Sequence, residues 1–295
     1  MVRVALIGSN GQLGSDIDGL WADSPFGRRG DELIGLTHAD LEVTAPAQVH
    51  SVLAGIGPAL VINTSAFHQV DNCEEQALEA FRVNAMGVKY LAEVCKELGA
   101  VLMHFSTDYV FGGEKRTPYL ERDAVRPISA YGISKVAGEH FLRYILPDGH
   151  ILIRSSGLYG VAGASGKGGN FVETMWRLAR EGRPIRVIQD QTGTPTYTRD
   201  LAKTLLRLIE AGGRGTFHIT NAGECSWYEF AGEIFHLLGL KPDFQPTTAA
   251  EFAAPAMRPR YSVLANARLT AMGIAQPRHW RDALIDYLRA KGYLR

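Results

Sequence analysis

Val2–Gly14 reads VRVALIGSNGQLG, and this stretch decides the fold. Val2–Ile7 is a continuous β-rich run. It ends on Gly8, and glycines recur at Gly11 and Gly14. Gly8 permits a tight turn, Gly11 lets backbone approach a pyrophosphate, and Gly14 lets the following helix pack closely on the strand. A helix N-terminus placed there offers free N–H groups and the positive end of a dipole to an anionic phosphate. A plain glycine-rich turn can carry the same letters. Position after a first strand and before a helix selects the dinucleotide-binding reading.

Working outward, short apolar runs recur at Leu33–Leu36, Ala59–Asn63, Val101–Ser106 and Ile151–Arg154. None alternates cleanly, which suits strands buried on both faces. Helical spacing fills Glu75–Leu98 (Leu78, Phe81, Ala85, Val88, Leu91, Ala92, Cys95) and Tyr131–Tyr144. The alternation predicts an α/β fold, a Rossmann-type doubly wound parallel sheet with helices on both faces. The second half has a different texture. Gly157–Gly169 reads as a glycine-rich mobile loop, and Pro242–Pro259 as irregular connections. Ile185–Ile188 and Thr216–Thr220 read as strands, and Arg199–Ala211, Trp227–Leu238 and Arg281–Lys291 as helices. We expect a dinucleotide-binding domain over 1–154 and about 185–225, and a smaller α/β substrate lobe over about 155–184 and 226–295.

Composition limits the partners. The chain has 295 residues, with 31 Lys+Arg against 31 Asp+Glu. Zero net charge gives no general pull on nucleic acid or an anionic membrane. No apolar run approaches the roughly 18 residues of a membrane span. Cys73, Cys95 and Cys225 form no CxxC pair, so neither a disulfide framework nor a metal site is written, and a reducing, cytoplasmic setting fits. Trp176, Trp227 and Trp280 sit at helical apolar positions and read as core.

Tyr131 and Lys135 lie four residues apart, on one face of a helix. A phenol titrates near pH 10 and is a poor acid–base group near neutrality; Lys135 at this spacing can lower it and also hydrogen-bond a ribose. Thr107, at the end of the fourth predicted strand, has a hydroxyl suited to a substrate carbonyl oxygen. The second predicted strand ends Leu36-Thr37-His38 without the acidic residue that reads an NAD ribose. Arg28 and Arg29 precede it, so NADPH and NADH both remain open.

At this point several stretches converge: GSNGQLGSDI (8–17), INTSAFHQVDNCE (62–74), VNAMGVKYLA (83–92), FSTDYVFGG (105–113), PYLE (118–121), PISAYGISKVAGE (127–139), GGNFVETM (168–175), DQTGTPT (190–196) and RPRYSVL (258–264). Through them the chain resembles the extended short-chain dehydrogenase/reductase family, and within it the dTDP-4-dehydrorhamnose reductase group. The resemblance implies a cytoplasmic NADPH- or NADH-dependent reductase of a dTDP-sugar, with a homodimer among its assemblies. It puts Gly8, Asn10, Gly11, Gln12, Leu13 and Gly14 at the cofactor phosphates, Glu42 and Val43 on the adenine side, and Ser65, Ala66 and Phe67 beneath the cofactor. Thr107, Tyr131 and Lys135 match the catalytic residues, with Asn84 supporting their geometry. His68, Val70, Asp108, Tyr109, Asn170, Phe171 and Arg258 fall on the substrate side.

Two positions depart from the group's pattern. Gly157 stands where a Trp is usual, and Tyr261 where Asn is usual. Losing an indole removes a large stacking surface, which Tyr261 or the glycine-rich loop would have to supply. Two other readings share these motifs. A nucleotide-sugar epimerase or dehydratase of the same superfamily is one; Tyr109 after Asp108 breaks the acid pair that a dehydratase needs. A non-catalytic regulatory subunit resembling that of methionine adenosyltransferase is the other.

Overall fold

Alternation inside the first strand sets the architecture. Strand β1 (Arg3–Ile7) sends Val4 and Leu6 to one core and Ala5 and Ile7 to another. Successive strand residues face opposite ways, so both faces of the sheet must be covered. The structure, a computed structural model, describes residues 1–163 and 169–294. In it β1 is joined by β2 (Glu32–Leu36), β3 (Leu60–Asn63), β4 (Val101–Thr107) and β5 (His150–Ser155). The strand Gly215–His218 closes one edge, giving the order Gly215–His218, β5, β4, β3, β1, β2. All these pairings are parallel. Strand order reverses between β1 and β3, where doubly wound sheets open a ligand crevice at their carboxyl ends.

Helices Gln12–Trp21 and Thr198–Glu210 cover one face, burying Leu13, Ile17, Leu201 and Leu205. Helices Pro46–Ile56, Val88–Leu98 and Ala130–Ile145 cover the other with Val49, Leu53, Leu91, Cys95 and Leu142. Each such aliphatic side chain stabilises the fold by about 1.5–3 kcal/mol relative to exposure. Cys73, Cys95 and Cys225 are buried, and burial pushes the Cys95 thiol up to about 12.

The predicted helix over Glu75–Leu98 is broken. Val70–Glu75 and Ala77–Phe81 are separate short helices, and a π-helical turn over Arg82–Gly87 precedes Val88–Leu98. Such turns widen the helix where a side chain is needed elsewhere, and Asn84 is that side chain. Leu78, expected on the apolar face, is 85% exposed.

A further core forms the smaller lobe, around helices Phe171–Arg180, Trp227–Leu237 and Trp280–Ala290. The expected boundary needs correction here. Ile185–Ile188, assigned to the cofactor domain, pairs with Phe244–Thr247 and packs Ile185 and Val187 into this smaller core. Conversely, Leu269 of helix Ala267–Ala271 packs into the cofactor-side core. The expected mobile loop Gly157–Gly169 contains a two-residue strand, Leu158–Tyr159, paired with Thr196–Tyr197; its residues 164–168 lie outside the described residues. Among the described residues no helix is long and apolar enough to cross a membrane.

Candidate active site

A cavity of about 1090 Å³ runs along the carboxyl ends of β1, β3 and β4 and is walled by the smaller lobe. At one end stands the glycine turn. Gly8 has φ +79°, and its N–H donates to the Leu36 carbonyl at 2.8 Å. Gly11 caps the helix Gln12–Trp21 with extended backbone. A Cβ on Gly14 would stand 2.1 Å from the Gly8 carbonyl oxygen. Any side chain there would lift the helix off the turn, so its first amides would no longer face the cavity. Gly8, Asn10, Gly11, Gln12 and Leu13 line the cavity, whereas Gly14 lies behind them. The Gln12 side chain also accepts from the Gly160 N–H at 2.9 Å, tying the turn to the other wall.

Glu42 and Val43 line the same end. Burial raises the Glu42 carboxyl, but the Thr44 N–H at 2.8 Å and His38 at 3.3 Å outweigh it, so it titrates below its ordinary value. Arg28 and Arg29 are not among the lining residues; Arg29 pairs with Asp31.

Ser65, Ala66 and Phe67 form the floor after β3. Asn84 lies beneath them, 1% exposed and outside the cavity wall. It accepts from the Phe67 N–H and donates to the Phe67 carbonyl, both at 2.9 Å, and donates to Ser134 Oγ at 3.0 Å. Both ends of one backbone unit are thus fixed by Asn84.

Thr107, Tyr131 and Lys135 line the same cavity. Thr107 ends β4 and Ser129 caps the helix Ala130–Ile145, donating the first turn's geometry by accepting from the Gly132 N–H. That helix carries Tyr131 and Lys135. Burial drives the Tyr131 phenol above its ordinary value, against a hydrogen bond with the Thr107 hydroxyl. The sequence leads one to expect the opposite shift from Lys135; removal from water dominates instead. A phenol held protonated is suited to giving a proton. Lys135 is 2% exposed, and burial brings its amine down to about 8, with Glu139 working the other way.

The substrate side is more mixed. Asp108 is buried, and accepts from Thr107 at 3.0 Å, Ser156 at 3.0 Å and Ser262 at 2.6 Å. Burial outweighs those bonds and pushes its carboxyl up to about 6. His68, Val70, Tyr109, Asn170, Phe171 and Arg258 also line the cavity. Arg258 is already paired with Asp71 at 2.8 Å and donates to the Ala256 carbonyl at 3.0 Å. Asn170 caps the helix Phe171–Arg180, and its amide donates to Gly160 and Tyr287 at 3.1 Å each. Both therefore hold the cavity wall together. Arg260 is exposed and outside the wall.

Sequence reasoning missed several lining residues. Trp227, read as core, faces the cavity with its ring 4.8 Å from that of Phe171. The signal was its place one residue after Ser226, which forms a capping box with Glu229: a helix end is where a side chain reaches a cleft. Ser156, Ser262 and Gln191–Pro195 also line the wall.

A family model described as the RmlD substrate binding domain matches residues 2–292. The chain belongs to that family. A dTDP-4-dehydrorhamnose reductase of Streptomyces griseus is 40% identical, over 96% of this chain and 92% of its own. A dTDP-4-keto-6-deoxy-D-glucose reductase of Streptomyces niveus is 36% identical, over 96% and 95%. A solved dTDP-4-dehydrorhamnose reductase of Bacillus anthracis, in complex with NADP, is 35% identical, with a TM-score of 0.90 over 98% and 99% of the two chains.

For an RmlD-family chain, the two departures have separate structural reasons. Gly157 has φ +54°, and a Cβ there would meet Pro195 Cα and the Thr194 carbonyl oxygen at 3.2 Å. An indole at 157 would strain this backbone. Tyr261 does not fill the space: its hydroxyl donates to Glu224 at 2.7 Å, outside the cavity wall. Trp227 and Phe171 supply the aromatic surface instead.

Proposed function

We propose that this protein reduces the C4 keto group of a dTDP-linked 6-deoxy-hexose with NADPH or NADH, with dTDP-4-dehydrorhamnose as the first substrate to test. The observation that carries this reading is that Thr107, Tyr131 and Lys135 line one cavity together with the glycine turn. The fit of a dinucleotide rests on that turn, where the Gly14 position admits no Cβ and the helix amides therefore reach the cavity.

NAD(P)H, when bound, supplies the hydride. The chain's own residues do the rest. Tyr131 gives its proton to the oxygen of the C4 carbonyl as that oxygen gains charge. Thr107 orients the same oxygen. Lys135, once protonated, stabilises the tyrosinate left behind. Asn84, through Phe67, keeps the floor in register with these groups. Gly8, Asn10, Gly11, Gln12 and Leu13 hold the phosphates; Glu42 and Val43 border the adenine; Ser65, Ala66 and Phe67 lie under the nicotinamide half. His68, Val70, Asp108 and Tyr109 meet the sugar, and Phe171 with Trp227 the nucleotide base. The cytoplasm suits a reduced cofactor and a chain whose cysteines form no CxxC pair.

The test is to mix purified protein with dTDP-4-keto-6-deoxy-L-mannose and NADPH or NADH in parallel, following cofactor absorbance and product stereochemistry by NMR. Stoichiometric cofactor loss is expected. A cofactor that stays bound and unconsumed would point to an epimerase. No turnover on any 4-keto sugar nucleotide, with a synthetase copurifying, would point to a regulatory subunit.

A further inference from the structure

His104 lies on β4, is 0% exposed, and does not line the cavity. It nonetheless joins the floor to Lys135. The Ser65 N–H donates to Asn63 Oδ1 at 3.1 Å, and the Ser65 hydroxyl donates to the same oxygen at 2.6 Å. Asn63 Nδ2 faces His104 Nδ1 at 3.1 Å. His104 Nε2 faces Lys135 Nζ at 3.3 Å.

The direction of every bond in this chain is forced. A backbone N–H can only donate, so Asn63 presents its oxygen to Ser65 and its amide nitrogen to His104. His104 Nδ1 must then accept. Burial, and the Lys135 charge beside it, hold the ring well below its ordinary value, so it is neutral. A neutral ring with Nδ1 bare carries its single proton on Nε2. That N–H points at Lys135. A free amine can accept it, whereas an ammonium has no lone pair to offer.

We propose that His104 is a positioning residue for Lys135: it holds the lysine as a free amine at the back wall and turns the ammonium form towards Tyr131 and the cavity. The inference rests on the reductase reading for its kinetic consequence only. The titratable groups around Lys135 are His104 from β4, and Tyr131 and Glu139 one turn either way on its own helix. Tyr131 in turn is faced by Asp108, Cys73 and Tyr109. Protonation of Lys135, near pH 8, therefore breaks the contact with His104, and a donor that favours the free amine lowers the pH at which this occurs.

His104→Gln offers Lys135 an amide oxygen in place of the N–H. In wild type, kcat/KM for reduction should fall as pH rises through about 8. In His104→Gln this limb should move up by about one pH unit, with the Kd for NADPH little changed. An unmoved limb, or a uniform loss at every pH, overturns the proposal. The ring itself can be read in the full chain without substrate by 15N labelling of histidine, assigned with His104→Gln, or with Asn63→Leu should the first variant not fold. A bare Nδ1 and a protonated Nε2 are expected from about pH 6 to 9. An Nδ1–H tautomer or an imidazolium overturns it. The expected tautomer without turnover on any sugar would leave His104 in place and remove only the reductase reading.

Discussion

The Thr107 hydroxyl donates to the carboxylate of Asp108, its neighbour in sequence, at 3.0 Å, and accepts from the Tyr109 N–H at 3.1 Å. Its single proton is thus committed. To donate to a carbonyl oxygen, Thr107 must first turn away from Asp108. The buried carboxyl therefore sets how freely Thr107 can donate.

Asp108→Asn tests this. Burial, only partly offset by three hydroxyls, pushes Asp108 up to about 6. The native chain then holds a proton between about pH 4 and 6 that the unfolded chain has lost, so this group's contribution to stability falls as pH rises through that window and is constant above it. At pH 7 the neutral amide should raise stability by about 1–3 kcal/mol. The wild-type pH–rate profile should bend near pH 6, and the variant should lack that bend. A denaturation series and the two profiles check it; a bend that survives in Asp108→Asn removes Asp108 from the mechanism.

Tyr131→Phe removes the proton donor and little else. Turnover should fall by about 10²-fold or more, the usual scale for an acid–base group. NADPH should still bind, because the glycine turn is untouched. Near-normal reduction by this variant would sink the assignment of Tyr131.

The sheet and the proton-donating residues were legible because backbone chemistry fixes them. β1 and its glycines need a strand, a turn and a close helix, and few sequences permit all three. Tyr131 and Lys135 needed only a helix to bring them together. Arg258 and Asn170 were placed at substrate from their motifs; both line the cavity, and their internal partners, Asp71 for one and Gly160 and Tyr287 for the other, left no mark in those motifs. Trp227 read as core because helical spacing does not record which end of a helix meets a cleft. Ile185–Ile188 was assigned to the cofactor domain because its partner, Phe244–Thr247, is distant in sequence and contains Pro246.

Glu139 follows Lys135 by one helical turn and is 0% exposed. Burial pushes its carboxyl up, but Arg154 at 2.7 Å and Arg143 at 2.9 Å outweigh this and hold it below the usual carboxylate range. Its stabilising contribution is present above the unfolded-state value and is lost as pH falls through the lowered native one. Glu139→Gln leaves Arg154 buried without its counter-charge. Stability at pH 7 should drop by about 3–5 kcal/mol, and thermal melting should show less acid sensitivity than wild type. A melting temperature within a degree or so of wild type would show that Arg154 finds another partner.

Trp227 and Phe171 form the aromatic wall on the smaller-lobe side, with ring centroids 4.8 Å apart. Both line the cavity, where Gly157 supplies no indole of its own. A planar base stacking on such a surface gains about 1–3 kcal/mol. Trp227→Ala should therefore raise KM for the sugar nucleotide by about 10-fold or more, with kcat nearly unchanged. That split is the mark of binding lost equally from ground and transition states. The Kd for NADPH should move far less than this KM. A fall in kcat with KM constant would instead place the indole beside the reacting sugar, and a shift in NADPH affinity alone would remove the wall from substrate binding altogether.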